Sequence, residues 1–374
     1  MEPRKEHDKK RISLYISRTQ CDIMRGLAIV FIMLHNYLHL VPDVLRENQF
    51  QFNDFLPKVF FDKLFKWSPG IINDYFSFLG WYGIAVFVFL TGYGLVRKYE
   101  RSPASERFSR GAFVYNNWLK LLNLMLPGVI ILLLAGLAGL WLIPGEYMPD
   151  ILKTLSLLSF LNDPLLPWLG VTPGVYWYFG LTLELYIVYA LAVKGRRPWL
   201  LWALVVLTVL LQAYCLKCVD SLIYGIYWVR HNFTGWLLVF AFGVAYARRD
   251  SAGRGVVAVV VALSFLLFFP CLLDPLSCLL TPLCAVVVAM CVAVVSSHIR
   301  GWAGFWAWTG RLSPYLFAAH PLVRMLFYGM SADGMPQWLP VAMFIAGSYA
   351  GALLYRLLWR GSSALVGKVL PPRV

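Results

Sequence analysis

Arg25, His35, His39, Lys120, Glu184, Arg311, His320 and Arg324 all stand inside or beside long apolar runs of this 374-residue chain. An ionisable side chain in hydrocarbon costs several kcal/mol unless it faces protein or a wet cavity, so such residues mark functional sites by default. They divide into two chemistries. Imidazole titrates near neutrality and can take the proton of a hydroxyl, which is a poor nucleophile until a positioned base does so. Guanidinium and ammonium groups hold anions, phosphates above all. The competing reading of each is structural, as an interhelical hydrogen bond or a local ion pair such as Asp22 with Arg25 at i, i+3.

What positions these residues follows from composition. Apolar residues make up 60% of the chain and charged ones 14%, with a mean hydropathy of +0.66. A soluble globular chain carries about 25% charged residues. Too few polar side chains are present to coat a water-soluble surface, which excludes a soluble enzyme and a disordered chain. The formal charge of +14 does not indicate a nucleic-acid partner, because those bases would cluster on one wet face. Here the bases fall in loops between apolar runs, and the partner they imply is membrane lipid.

A crossing helix needs about 20 mostly apolar residues. Ten runs qualify: 20–41, 77–97, 113–142, 174–194, 198–216, 232–247, 255–271, 275–297, 304–329 and 337–359. The stretch 151–162 is too short and reads as an interfacial or re-entrant helix. The N-terminus, the loops 97–110, 194–197, 247–254 and 298–300, and the C-terminus are basic, whereas the alternate loops are richer in acids. The positive-inside rule then puts both termini in the cytoplasm. The expected architecture is an all-α polytopic membrane bundle of about ten transmembrane helices in the cell membrane. A basic cytoplasmic segment (1–19) precedes the transmembrane domain (20–360), and a basic tail (361–374) follows. The first run lacks a small-residue cleavage site and reads as a retained span. The outer loop 42–76, aromatic and of mixed charge, suits a cap on the outer mouth. No Cys/His pattern has metal-ligand spacing, so no metal is expected. Cys215 and Cys218 lie near the outer side.

Depth sorts the charges. With a rise of about 1.5 Å per residue, Arg25 lies in the inner third of the first span and His35 beyond its midplane. Lys120 is roughly 10 Å deep, and Arg311 is near the start of the ninth span with His320 roughly 20 Å along it. Glu184 falls near the middle of the fourth. Cations thus crowd the cytoplasmic half, with His35, Glu184 and His320 at or outward of the midplane. Such layering suits a phosphate-bearing donor that enters from the cytosol and a hydroxyl acceptor that comes from the other face.

Four segments in order resemble the membrane acyltransferase family 3, integral-membrane O-acyltransferases of envelope and surface glycans. RGLAIVFIMLH (25–35) is similar to the family's first-span Arg-to-His motif. GIAVFVFLTGYGL (83–95) resembles its G-x-x-x-F-F-x-x-S-G-F/Y, with Thr91 where serine is usual. WYFGLTLELY (177–186) resembles W-x-L-x-x-E-x-x-F/Y. WTGRLSPYLFAAHP (308–321) is similar to L-G-x-x-S-Y-x-x-Y-L-x-H-x-P. The resemblance implies an acyl-CoA co-substrate, usually acetyl-CoA, with no permanently bound cofactor. It also implies an acceptor hydroxyl on a sugar or lipid-linked glycan. His35 would be the base, with Glu184 and His320 polar groups of a central cavity. Arg25, Lys120 and Arg311 would bind the donor. Trp177 and His39 would stand on the acceptor side, and His39 could share the base's role.

One departure bears on geometry. Nine residues separate Arg25 from His35 where the family has ten, which leaves the two about 80° apart around a regular helix. Either a π-bulge rotates the turn, or the two face different neighbours. Pro314, where tyrosine is common, is expected to kink the ninth span. Thr91, Gly92 and Tyr93 suit close helix packing. The rival function is a transporter or flippase for a glycan or lipid-linked precursor, which would also carry a polar midplane site, but no repeated halves are visible. A non-catalytic member that binds acyl-CoA or glycan without turnover is a second rival. Monomer is the default oligomeric state.

Overall fold

The computed structural model describes residues 11–46, 52–101, 108–137, 174–219, 225–327, 335–336 and 338–369. The stretch 151–162, expected as an interfacial helix, lies outside the described residues. In chain order the elements are β1 (Arg11–Ser13), α1 (Arg18–Leu38), α2 (Phe55–Phe65), α3 (Ile71–Leu79), α4 (Gly83–Tyr99), α5 (Arg110–Leu137) and α6 (Trp177–Val188). There follow α7 (Pro198–Cys218), α8 (Ile226–His231), α9 (Leu237–Arg248), β2 (Ser251–Gly253), α10 (Arg254–Phe268), α11 (Thr281–Ser297), α12 (Arg300–Leu326) and α13 (Trp338–Val369).

The protein is an all-helical integral membrane protein. Among the described residues six helical stretches are long and apolar enough to cross a bilayer: Arg18–Leu38, Ile71–Tyr99, Gly174–Val193, Pro198–Cys218, Ser277–Ser297 and Trp338–Ala364. Helices also occupy the other four expected positions, of which Leu237–Arg248 and Arg254–Phe268 are short apolar ones. Burial separates the inner from the outer helices. Ile71–Tyr99 is mostly buried inside the protein, whereas Pro198–Cys218 and Trp338–Ala364 are mostly not. The outer helices expose Trp202, Leu207, Leu210, Leu266, Leu354 and Leu357, the apolar surface a lipid solvent accepts and water would not.

Local sequence fixes the helix ends. Ser17 caps α1 in a reciprocal box with Gln20: the Ser17 hydroxyl accepts from the Gln20 N–H (3.2 Å), and the Gln20 side chain accepts from the Ser17 N–H (2.9 Å). Pro198 opens α7 and Gly195 (φ 67°) makes the turn before it. Close approach needs glycine at two further places. A Cβ on Gly92 would overlap the Phe240 carbonyl oxygen, and one on Gly243 would overlap that of Phe89. The pair lets α4 and α9 touch backbone to backbone, as expected of the Thr91–Tyr93 segment.

Several of the basic segments meet at one end of the bundle. β1 pairs antiparallel with β2, Arg11 opposite Gly253. Arg248 forks onto both oxygens of Glu100 (2.8 and 2.9 Å), and Arg101 bonds Asp250 (2.8 Å). Lys194 donates to the Tyr99 carbonyl and Arg110 to that of Ala190. At the opposite end of α1, the Lys63 ammonium bonds the buried Asp74 carboxylate (2.8 Å), whose other oxygen accepts from the Leu45 N–H (2.6 Å). This ion pair ties α2 to α3 within the loop 42–76.

Candidate active site

The framework is the seam between α1 and α12. Gly26 faces the Trp306 carbonyl and Gly310 faces that of Asp22, so closely that a Cβ on either would overlap the opposing oxygen. Further along, the Arg324 guanidinium donates to the Asn36 carbonyl (3.4 Å), and the Tyr37 hydroxyl donates to that of Phe327 (3.4 Å). Residue numbers rise together along the seam, so the two helices run parallel.

Near its start the seam carries Asp22, buried between two arginines. Arg25 Nη1 lies 2.8 Å from Asp22 Oδ1, and Arg311 Nη1 lies 3.8 Å from Oδ2. Asp22 is 5% exposed, whereas the two arginine side chains are 37% and 56% exposed. One carboxylate between two guanidiniums leaves a net positive charge. Each guanidinium has five N–H donors, and the carboxylate uses only some of them.

At the other end stand the histidines. α1 is a continuous α-helix from Arg18 to Leu38, so no bulge rotates His35 onto the face of Arg25. Arg25 turns to Asp22, and His35 turns to the last turn of α3. There His35 Nδ1 donates to the Ser77 carbonyl at 2.5 Å. A carbonyl can only accept, so the proton sits on Nδ1 and Nε2 holds the lone pair. The His39 ring, one turn on, has its centroid 4.2 Å from that of His35. His39 Nε2 and Ser77 Oγ are buried without a hydrogen-bond partner among the described residues.

His320 is completely buried on α12, which continues through Pro314 and Pro321 as one helix. Pro321 has no N–H, so the carbonyl of Phe317 loses its usual donor. Beside it, His320 Nδ1 donates to the Leu316 carbonyl at 3.0 Å, while Nε2 is buried with no partner among the described residues. The common neighbour of all three imidazoles is Arg324, one turn after His320. Its guanidinium lies close enough to act electrostatically on His35, His39 and His320 alike. Spacing alone could have found it, since i, i+4 puts Arg324 on the face of His320.

Glu184 belongs to a second group. Its Oε2 accepts from the Phe233 N–H (2.6 Å), and Oε1 is buried without a partner among the described residues. Trp177, on the same helix, is 4% exposed, with its ring 5.2 Å from that of His231 and 6.4 Å from that of Trp236. A Trp so buried is part of the interior, not an interfacial anchor. The turn Gly80–Tyr82 joins the two groups. A Cβ on Gly80 would come within 2.7 Å of His35 Cβ, and the next residue, Trp81, has its ring 6.2 Å from that of Trp236.

The eight candidate residues are therefore not one cluster. Arg25 and Arg311 converge on Asp22. His35 and His39 converge on Ser77, and Arg324 links them to His320. Glu184 and Trp177 face the Phe233–Trp236 segment. Lys120 Nζ donates to Asn117 Oδ1 in its own helix (3.3 Å), and another cation, Lys98, acts on it electrostatically. Among the described residues no bond joins Lys120 to Asp22, the carboxylate that Arg25 and Arg311 share. Cys215 and Cys218 are both free thiols.

A family model described as an acyltransferase domain matches residues 18–357, which takes in both ends of the α1–α12 seam. No curated protein matches the chain, and no solved structure does.

Proposed function

Because the chain belongs to that family, acyltransferase family 3, we propose that it moves an acyl group from acyl-CoA at the cytoplasmic face to a glycan hydroxyl at the outer face. Acetyl is the expected group, and the acceptor is a sugar or a lipid-linked saccharide of the cell envelope. In this reading Nε2 of His35 takes the acceptor's hydroxyl proton as the oxygen attacks the thioester carbonyl. The tetrahedral intermediate collapses with cleavage of the C–S bond, and the imidazolium returns its proton to the departing CoA sulfur. Negative charge develops on the carbonyl oxygen, and Arg324 is the candidate to meet it. Arg25 and Arg311 would hold the donor's phosphates.

The observation that carries the proposal is the bond from His35 Nδ1 to the Ser77 carbonyl. It fixes the tautomer in which the other nitrogen is basic, and a buried backbone carbonyl cannot rotate away as a side chain could. Labelled acetyl-CoA supplied to the purified protein in nanodiscs, paired with mass spectrometry of envelope glycans from cells with and without the gene, tests it. An acetyl-sized difference in one glycan class is expected. Identical glycans together with no acetyl-CoA turnover would overturn it.

A further inference from the structure

The helix α2 closes on a residue that its backbone does not suit. The Trp67 N–H donates to the Leu64 carbonyl (3.2 Å) and the Ser68 N–H to that of Lys63 (3.0 Å), the paired bonds with which a helix ends on a left-handed residue. Trp67 is that residue, at φ 48°, where glycine is usual and a bulky side chain is strained. Interior packing does not account for the indole, since Trp67 is 73% exposed, Phe65 84% and Ile72, just beyond the turn, 64%. Strain of this kind marks a functional position.

This end of α2 lies against the lipid-facing rim of the bundle. Phe61 packs edge to face on Phe269 (5.8 Å), at the end of α10, and Phe65 stacks beside Phe61 (6.2 Å). α10 exposes Val259, Leu263 and Leu266 along one side, so the aromatic row extends an apolar stripe that already faces lipid. Each residue turns a helix by about 100°. Phe61 and Phe65 thus share one edge of α2, and the exposed Asp62–Lys66 ion pair (2.7 Å) lies on the face beside it. An aromatic edge next to a charged face suits a helix that lies in the zone between acyl chains and water. We propose that α2 and the Trp67 turn are an anchor in the bilayer interface, at the end of the bundle away from the basic segments. Phe65 and Trp67 reach the acyl boundary, and Asp62 and Lys66 stay among the headgroups. The lipid holds α2, α2 holds α3 through the Lys63–Asp74 ion pair, and α3 carries the Ser77 carbonyl that His35 bonds. The anchor is independent of which group the protein transfers.

The test is photocrosslinking of the whole protein in phosphatidylcholine nanodiscs, with p-benzoylphenylalanine introduced in place of Phe65, Trp67, Leu266 or Asp62 in turn. Mass spectrometry of the irradiated protein reads the phospholipid adducts. The probe at Phe65 and at Trp67 should give lipid adduct at the yield seen at Leu266, the lipid-facing reference, and most of that adduct should be lost at Asp62. Yields at Phe65 and Trp67 no higher than at Asp62 overturn the proposal. Crosslinks from these two positions into another part of the chain, or into a second protein when cells are irradiated, also overturn it, because a protein surface would then be the occupant. Hydrogen exchange gives a second readout without the probe. The double variant Phe65→Gln with Trp67→Gln should exchange its α2 amides faster than wild type in the same nanodiscs, and unchanged exchange would refute the anchor.

Discussion

His35 gives its Nδ1 proton to the Ser77 carbonyl across 2.5 Å, and Gly80 packs so closely that a Cβ there would come within 2.7 Å of His35 Cβ and overlap the Phe31 carbonyl oxygen. The Ser77 carbonyl thus holds the ring, and Gly80 sets how closely its turn approaches α1 at Phe31 and His35. Gly80→Ala should push the ring off the carbonyl. Overpacking of this kind costs about 1–3 kcal/mol. The expected outcome is a modest fall in thermal midpoint in detergent with a loss of acyl transfer well beyond tenfold. A variant that keeps full turnover would show that the ring's placement is not needed.

The α1–α12 seam depends on Gly26 and Gly310. Gly310→Ala should separate the helices at Asp22 and weaken the protein by about 1–3 kcal/mol, read as a lowered midpoint in thermal unfolding followed by tryptophan fluorescence. Gly304, on the same helix, has open space where its Cβ would be. Gly304→Ala should be neutral or slightly stabilising, because alanine is the better helix former.

Arg25 and Arg311 share Asp22, and their remaining donors are the ones a phosphate would use. A hydrogen bond to a charged group contributes about 1.5–3 kcal/mol, and solvent exposure at this end lowers that figure. Arg25→Ala or Arg311→Ala should raise the KM for acetyl-CoA roughly tenfold with a smaller change in kcat, and added salt should narrow the difference. Donor KM unchanged in both variants would remove the cation pair from the donor site.

Glu184 accepts from the Phe233 N–H with one oxygen. Glu184→Gln keeps an acceptor there, whereas Glu184→Leu leaves a buried amide unpaired at a cost of about 1–3 kcal/mol. The glutamine variant should keep the fold and the affinity for acceptor. The leucine variant should lose stability and raise the acceptor KM. Equal behaviour of the two in an acceptor titration would contradict the role of Glu184 in holding the Phe233–Trp236 segment.

Much of this was legible in the residues. Among the described residues six of the ten expected spans are helices long and apolar enough to cross a bilayer, and the nine-residue spacing leaves Arg25 and His35 on different faces. Regular α-helix through α1 settles that alternative, with Arg25 and His35 bonded to different segments. The sequence also gave the Asp22–Arg25 pair as the plain structural reading of Arg25, and the pair is present. It could not show that Arg311 comes to the same carboxylate from a helix almost three hundred residues away, because that depends on which glycines oppose which carbonyls across a seam. Nor could it show a backbone carbonyl as the partner of His35, since every residue has one.

The central claim is that His35 is the base, and one rate measurement tests it most directly. Purified wild type and His35→Ala, matched for yield and thermal midpoint, are given labelled acetyl-CoA and envelope acceptor in nanodiscs. A positioned general base contributes about 10²–10⁴-fold, so transfer by the alanine variant should fall by at least a hundredfold with CoA affinity unchanged. Transfer within a few-fold of wild type would contradict the account.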